Sequence, residues 1–355
     1  MSMHNTIWIG MELFLFIFAI AALVLAMAFS FTNGFHDASS TVATMIACGA
    51  ASPRRAVVLS AIWGFAGAML GGTAVALTML SLLSIAPGPT LVYVIFATLV
   101  GAVAWNLVTW VWGIPSSSTH ALVGGLIGSG IAAAGLGNVN WGLNELLSGG
   151  QLVGITKVVI FLFLSVGIGF IGGYLVMRLT RTLLRNANRK INRPLMMSQY
   201  LTSGLLAFSH GANDAQKAMG MMVLVIVSVE WAPDTSIPLW VMLASAITMT
   251  IGTLGGGWKI MTTLGRRIFH VRPIHSFDSQ VASTAAILVS TAAGAPVSST
   301  HAVASSIIGV GAADNARMVQ WSVGKDMVVS WLLTMPLTAF VSGLIYIILK
   351  GSLNI

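Results

Sequence analysis

Charge is what this chain of 355 residues has least of: only 7% of its residues are Asp, Glu, Lys or Arg, where soluble domains carry about a quarter. So few ionised groups cannot clothe an aqueous surface, which excludes a soluble enzyme or a soluble binding module. Cysteine is scarcer still. Cys48 stands alone, so no intrachain disulfide can form and a disulfide-stapled scaffold is excluded. Sustained period-2 alternation is also missing, which argues against an outer-membrane barrel. What fills the chain instead is apolar: 56% of residues are hydrophobic and the mean hydropathy is +0.91. Stretches long enough to cross a hydrocarbon core, about 20 residues as helix, recur from Met11 to Ile347 and leave no room for a sizeable soluble domain. The expected fold class is an all-α polytopic membrane protein. The first apolar run follows Glu12 rather than a basic segment and has no small-residue cleavage site, so it reads as a retained helix.

The net charge of +8 would fit a nucleic-acid partner if the cations shared one face, but they sit in turns between apolar runs. Basic turns fall at Arg54/Arg55, Arg178 to Arg193, Arg266 to Arg272, and around Arg317 and Lys325. Alternating with them are turns at Pro87 to Pro89, Asn138 to Gln151 and Glu230 to Pro238 that hold no Lys or Arg. The positive-inside rule places the first set in the cytoplasm. All of the 17 basic residues except Lys157, Lys350 and Lys217 then lie inside. The expectation is a multi-pass protein of the cell membrane (inner or plasma membrane), in contact with lipid, with both termini outside and no nucleic-acid partner.

The chain repeats itself. Phe31-Thr-Asn-Gly-Phe-His-Asp-Ala38 aligns with Phe208-Ser-His-Gly-Ala-Asn-Asp-Ala215, and Pro115-Ser-Ser-Ser-Thr-His-Ala121 with Pro296-Val-Ser-Ser-Thr-His-Ala302. Order and spacing are nearly kept, and Gly128 and Gly130 match Gly309 and Gly311. The flanking charges invert: Glu12 precedes the first Asp motif and Arg54/Arg55 follow it, whereas the run Arg178 to Arg193 precedes the second and Glu230 and Asp234 follow it. Two inverted-topology repeats are therefore expected, 1–177 and 195–355, joined by a cytoplasmic basic connector at 178–194. The stretches 11–52, 90–135 and 276–313 are long enough to hold re-entrant hairpins, which gives about 10–12 membrane segments.

Asp37 and Asp214 lie in apolar surroundings, where an ionised carboxylate costs about 2.5–3.5 kcal/mol even on the lenient insertion scale. Each needs a positive partner. Gly34 and Gly211 are expected to let the backbone leave helical geometry and free carbonyls for a cation, beside Asn33, His36 and Asn213. Duplication of the pair favours a cation site over a lone structural carboxylate. Lys217 stands open as an anion contact or as the partner of Asp214 or Asp37. His36 and His210, inside the Asp motifs, are proton-switch candidates. In the second motif, proline is expected in the first turn of a helix, with amides aimed at an anion before it. Ser116, Ser117, Ser118, Thr119, Ser298, Ser299 and Thr300 add neutral hydroxyl donors that bind a tetrahedral oxyanion without trapping it. His120 and His301 are read as orienting the turn. The glycines at 71–72, 124–125, 172–173 and 255–257 are read as close helix-packing positions.

Taken together, Asn33-Gly-Phe-His-Asp37, Gly211-Ala-Asn-Asp-Ala-Gln-Lys-Ala-Met-Gly220 and the two Pro-x-Ser-Ser-Thr-His runs resemble the inorganic phosphate transporter (PiT) family, above all its bacterial low-affinity branch. The resemblance spans nearly the whole chain. It implies a homodimeric inverted-repeat symporter of inorganic phosphate and no enzyme, with cations at Asp37, Asn213 and Asp214 and phosphate at Ser117, Ser118, Thr119, Ser298, Ser299 and Thr300. His36 stands where sodium-coupled members have Asn, and Gly64 near where they carry a buried glutamate. Both departures point to co-transported protons, with sodium as the alternative, and to phosphate carried with Mg²⁺ or another divalent cation; no cofactor is expected. Among rivals, a sulfate-type oxyanion offers no proton for an aspartate to accept. An intramembrane hydrolase needs one nucleophile–base pair rather than two symmetric sets, and a passive channel needs no buried carboxylates.

Overall fold

A computed structural model describes residues 3–353, with side chains from Glu12 to Ser352. Among the described residues the chain is helical apart from turns and an isolated bridge between Leu83 and Val139. The termini expected outside the cell end in residues 1–2 and 354–355, which fall outside the described residues. The helices are α1 (Met3–Ala47), α2 (Pro53–Leu70), α3 (Ala74–Leu80), α4 (Pro89–Trp112), α5 (Ser118–Ala134), α6 (Leu143–Gly149), α7 (Gly154–Leu183), α8 (Asn192–Ser228), α9 (Leu239–Gly255), α10 (Trp258–Thr262), α11 (Pro273–Ala292), α12 (Ser299–Asn315) and α13 (Trp321–Leu353).

Segments Glu12–Ala47, Pro89–Trp112, Gly154–Leu183 and Trp321–Ser352 are each long and apolar enough to cross a membrane. Two further helix pairs are long and apolar enough only when taken together, and both are bent: α2 with α3 by 67°, and α9 with Trp258–Arg267 by 61°. Hydropathy and length thus mark fewer spans than the sequence count, because α5 and α12 are short and α8 and α11 carry the buried polar residues of the motifs. The bends sit at Gly72 (φ +79°) and Gly256 (φ +65°), a left-handed conformation that glycine adopts at no steric cost. These glycines turn the chain rather than pack it, a correction to the sequence reading. Breaks between helices that pack on each other fall at 113–117, between α4 and α5, and at 293–298, between α11 and α12. The stretch 11–52 has none before its end, for α1 is unbroken as far as Ala47.

A second correction concerns the Asp motifs. Gly34 and Gly211 do not open the backbone, for α1 and α8 run as continuous helices through both. They serve close approach instead. A β-carbon on Gly34 would overlap the backbone of Met249 on α9, and one on Gly211 the backbone of Gly64 on α2. From the facing side, one on Gly252 would strike the Phe31 carbonyl, and one on Gly67 the Phe208 carbonyl. Small residues on both faces let membrane helices touch backbone to backbone, where dispersion holds them together.

Packing exchanges the two halves. α1 lies on α9 while α8 lies on α2, and α5 lies on α13 while α12 lies on α7. Within each half, α4 packs on α1 and α5, just as α11 packs on α8 and α12. The outer faces present Phe163, Leu175, Leu179, Leu332 and Phe340, all exposed, as an apolar solvent requires.

Candidate functional site

The two helix starts are built alike. Ser117 and Ser298 are extended (φ −112°, ψ 113° and φ −94°, ψ 109°) and cap their helices. The Ser117 hydroxyl accepts the His120 amide at 3.1 Å, and the Ser298 hydroxyl the His301 amide at 3.3 Å. Proline does not occupy the first turn, as the sequence led one to expect; Pro115 and Pro296 precede the caps and stiffen the extended approach. Ser117 and Ser298 therefore spend an acceptor lone pair on their own helices. Ser117→Ala should cost about 1 kcal/mol, seen as a lowered unfolding temperature of the purified protein; an unchanged temperature would mean that the His120 amide has another acceptor.

Asp37, on α1, is 2% exposed. The Thr300 hydroxyl donates to its Oδ1 at 2.7 Å, and His36 Nδ1 lies 2.9 Å from the same oxygen. Ser118 donates to Asn33 Oδ1 at 2.7 Å and reaches Asp37 Oδ2 at 3.4 Å. The first-half carboxylate is thus held by both helix starts. Asp214, on α8, receives the Ser299 hydroxyl at 2.9 Å on Oδ2, with His210 Nδ1 2.6 Å from that oxygen, and the Lys217 ammonium on Oδ1. Lys217 also donates to Thr119 Oγ1 at 2.5 Å and to the Val297 carbonyl at 2.8 Å. Oxygen and nitrogen ligand atoms of Asp37, His210 and Asp214 all lie within 4.8 Å of one another. Both carboxylates and an imidazole therefore converge on one buried place, with chemistry fit for a proton or a hard cation.

Asn213 is used differently from Asn33. Its Oδ1 accepts the Val297 amide at 3.1 Å, and its own amide donates to Thr291 Oγ1 at 2.9 Å and to the Ala295 carbonyl at 3.1 Å, so it holds the tip between α11 and α12 in place. Ser116 donates to Thr109 Oγ1 at 2.9 Å, and both hydroxyls stand beside His36 Nε2, at 3.5 and 3.4 Å. Thr109 went unnoticed in the sequence, although Asn106 and Thr109, three apart in apolar α4, were a detectable polar stripe. Thr109, Pro115, Arg267 and Asp326 line a cavity of about 540 Å³ between α4 and α13, which leads to within one hydroxyl of His36. Asn33 Nδ2 and His210 Nε2 are buried without a partner. The His120 and His301 rings lie tilted against each other with centroids 4.8 Å apart, and His301 stacks on Trp331 at 3.8 Å.

Known proteins resemble this chain over most of its length. A family model described as the phosphate transporter family matches residues 33–198 and 184–342. A probable low-affinity inorganic phosphate transporter of Bacillus subtilis is 36% identical over 327 residues, covering 91% of this chain and 94% of that protein. A protein of the same description from Mycobacterium bovis is 41% identical over 320 residues, covering 90% of this chain and 74% of its own length. A solved structure described as the sodium-dependent phosphate transporter superposes with a TM-score of 0.77 at 26% identity, over 94% of this chain and 99% of that one.

Proposed function

Because this chain belongs to the phosphate transporter family, we propose that it is a secondary active symporter that carries inorganic phosphate across the cell membrane with protons, taking phosphate together with a divalent cation such as Mg²⁺. One observation carries the coupling: the hydroxyls of Thr300 and Ser299 that would bind the anion are the ones bonded to Asp37 and Asp214. A hydroxyl has one proton to donate. When it turns to phosphate, the carboxylate it leaves is short of a hydrogen bond in a dry site and gains affinity for a proton or metal ion. By linkage, a cation at the carboxylate returns the hydroxyl to phosphate with the same free energy. Two ligands that strengthen each other across one set of hydroxyls are symported; neither leaves cheaply alone.

His36 supports the proton reading. It touches Asp37 on one side and, through Thr109, stands next to the cavity between α4 and α13, so a proton has a path of titratable and hydroxyl groups to follow. Sodium is the second reading, favoured by the converging oxygens of Asp37 and Asp214 and by the similar sodium-dependent structure. The exchanged packing of α1 and α2 with α9 and α8 supports inverted repeats, with substrate held where they meet. Outside termini and a homodimer complete the proposal.

Purified protein in liposomes decides the coupling. Labelled phosphate uptake is expected under an imposed pH gradient and to require magnesium. Uptake driven by a sodium gradient alone would replace the proton reading, and uptake under neither gradient would overturn the symport proposal.

A further inference from the structure

The two Asp motifs carry the same side-chain types in exchanged order. Asn33 and His36 serve Asp37, as His210 and Asn213 stand before Asp214, and each carboxylate has an imidazole Nδ1 against it. The balance breaks three residues further on. Where the second motif has Lys217, the first has Ser40, whose hydroxyl turns back to the Asp37 carbonyl at 2.7 Å. Among the described residues Asp37 has no Lys or Arg against it, and Asp214 has Lys217.

Lys217 is 0% exposed, among the largest fully buried side chains of the chain. An ammonium has three donors and no acceptor, and each has an oxygen: Asp214 Oδ1, Thr119 Oγ1 and the Val297 carbonyl. No donor is left over for an anion. One carboxylate, one hydroxyl and one backbone carbonyl, drawn from α8, α5 and the tip before α12, are also the ligand types that hold a small hard cation. The Thr119 hydroxyl confirms the polarity of the position, for it receives the ammonium and passes its own proton to the Val297 carbonyl at 2.8 Å.

We propose that Lys217 is a tethered cation: its ammonium permanently fills the cation position at Asp214, and Asp37 is the one carboxylate whose positive partner is exchanged during transport. The inference rests on the symport reading and narrows it, since the site then carries one mobile positive charge at its carboxylates per cycle instead of two. The ammonium also ties the start of α5 to the tip before α12 throughout the cycle.

Removing the charges together tests it. Asp214→Asn and Lys217→Met each strand a buried charge, so each alone should cut uptake to about a hundredth of the wild-type rate, whereas the double variant Asp214→Asn/Lys217→Met should keep about a tenth or more. Its driving ion should be the same as that of the wild type, because Asp37 is untouched. The double should also unfold at a higher temperature than either single variant, a readout that needs no phosphate. A double variant that regains its unfolding temperature but not its uptake would overturn the inference, because Asp214 would then be exchanging a cation itself. A double variant that does not fold would overturn it equally, because the two charges would not serve one another alone. Wild-type protein that takes up no phosphate would fail the function reading instead, and would be recognised before any variant is made.

Discussion

Asp37→Asn protein is expected to insert, fold and purify like the wild type, yet to lose phosphate accumulation by about two orders of magnitude. The replacement is nearly isosteric, and its amide oxygen still accepts the Thr300 hydroxyl that now reaches Oδ1 at 2.7 Å. What it removes is the negative charge that holds a proton or metal ion, along with the second carboxylate oxygen, Oδ2, which Ser118 reaches at 3.4 Å. A neutral amide holds the Thr300 hydroxyl less tightly than a carboxylate does, so that hydroxyl turns to phosphate without the help of a cation. Binding and driving force come apart. The check is uptake into liposomes under the gradient that drives the wild type; accumulation at the wild-type level would remove Asp37 from the coupling. No second substitution should rescue this variant, since Asp37 has no lysine whose stranded charge could be removed with it.

The second large effect is on assembly. Gly211→Val should cut the yield of monodisperse protein about tenfold or more, because the added atoms fall on the backbone of Gly64, and a backbone cannot swing aside as a side chain can. α2 and α8 would have to part along their whole crossing, at a cost of several kcal/mol, which rivals the stability of an ordinary domain. Gly167→Ala on α7 is the matched control: nothing stands within 4 Å of its β-carbon, and alanine is the better helix former by about 1 kcal/mol. Size-exclusion profiles of detergent-solubilised protein read both. A monodisperse Gly211→Val protein at wild-type yield would mean that the α2–α8 contact is looser than the backbone distances require.

The sequence was legible where two copies could be compared. Aligned twice, Asp37 with Asp214 and Ser118-Thr119 with Ser299-Thr300 announce that both motifs meet at one place, because a duplicated site around one substrate requires it. Helix starts at Ser118 and Ser299 followed within a few residues from the run of small hydroxyl residues after proline. Glycine was not legible. In a membrane helix it either breaks the backbone or admits a neighbour, and only the neighbour's position decides; Gly34 and Gly211 have backbones against them, while Gly72 and Gly256 have left-handed turns. The same holds for hydroxyls. Ser117 and Ser298 looked like the rest of their runs, but the first residue before a helix is drawn to the unpaired amides of its first turn. Asn213 is fixed by the 291–297 segment, which no local pattern in its own motif reveals.

The exchange of α1 and α2 with α9 and α8 has a consequence for how the protein is made. At a synthesis rate of about 5–20 residues per second, α1 and α2 reach the membrane roughly ten seconds or more before the helices that cover them have been translated. Through that interval Gly34, Gly67 and the buried Asp37 face lipid or the insertion machinery with no native partner. The amino-terminal half is therefore an unfinished surface and not a folding unit. Severed from its other half, it should be degraded, and the two halves should survive only when synthesised in the same membrane.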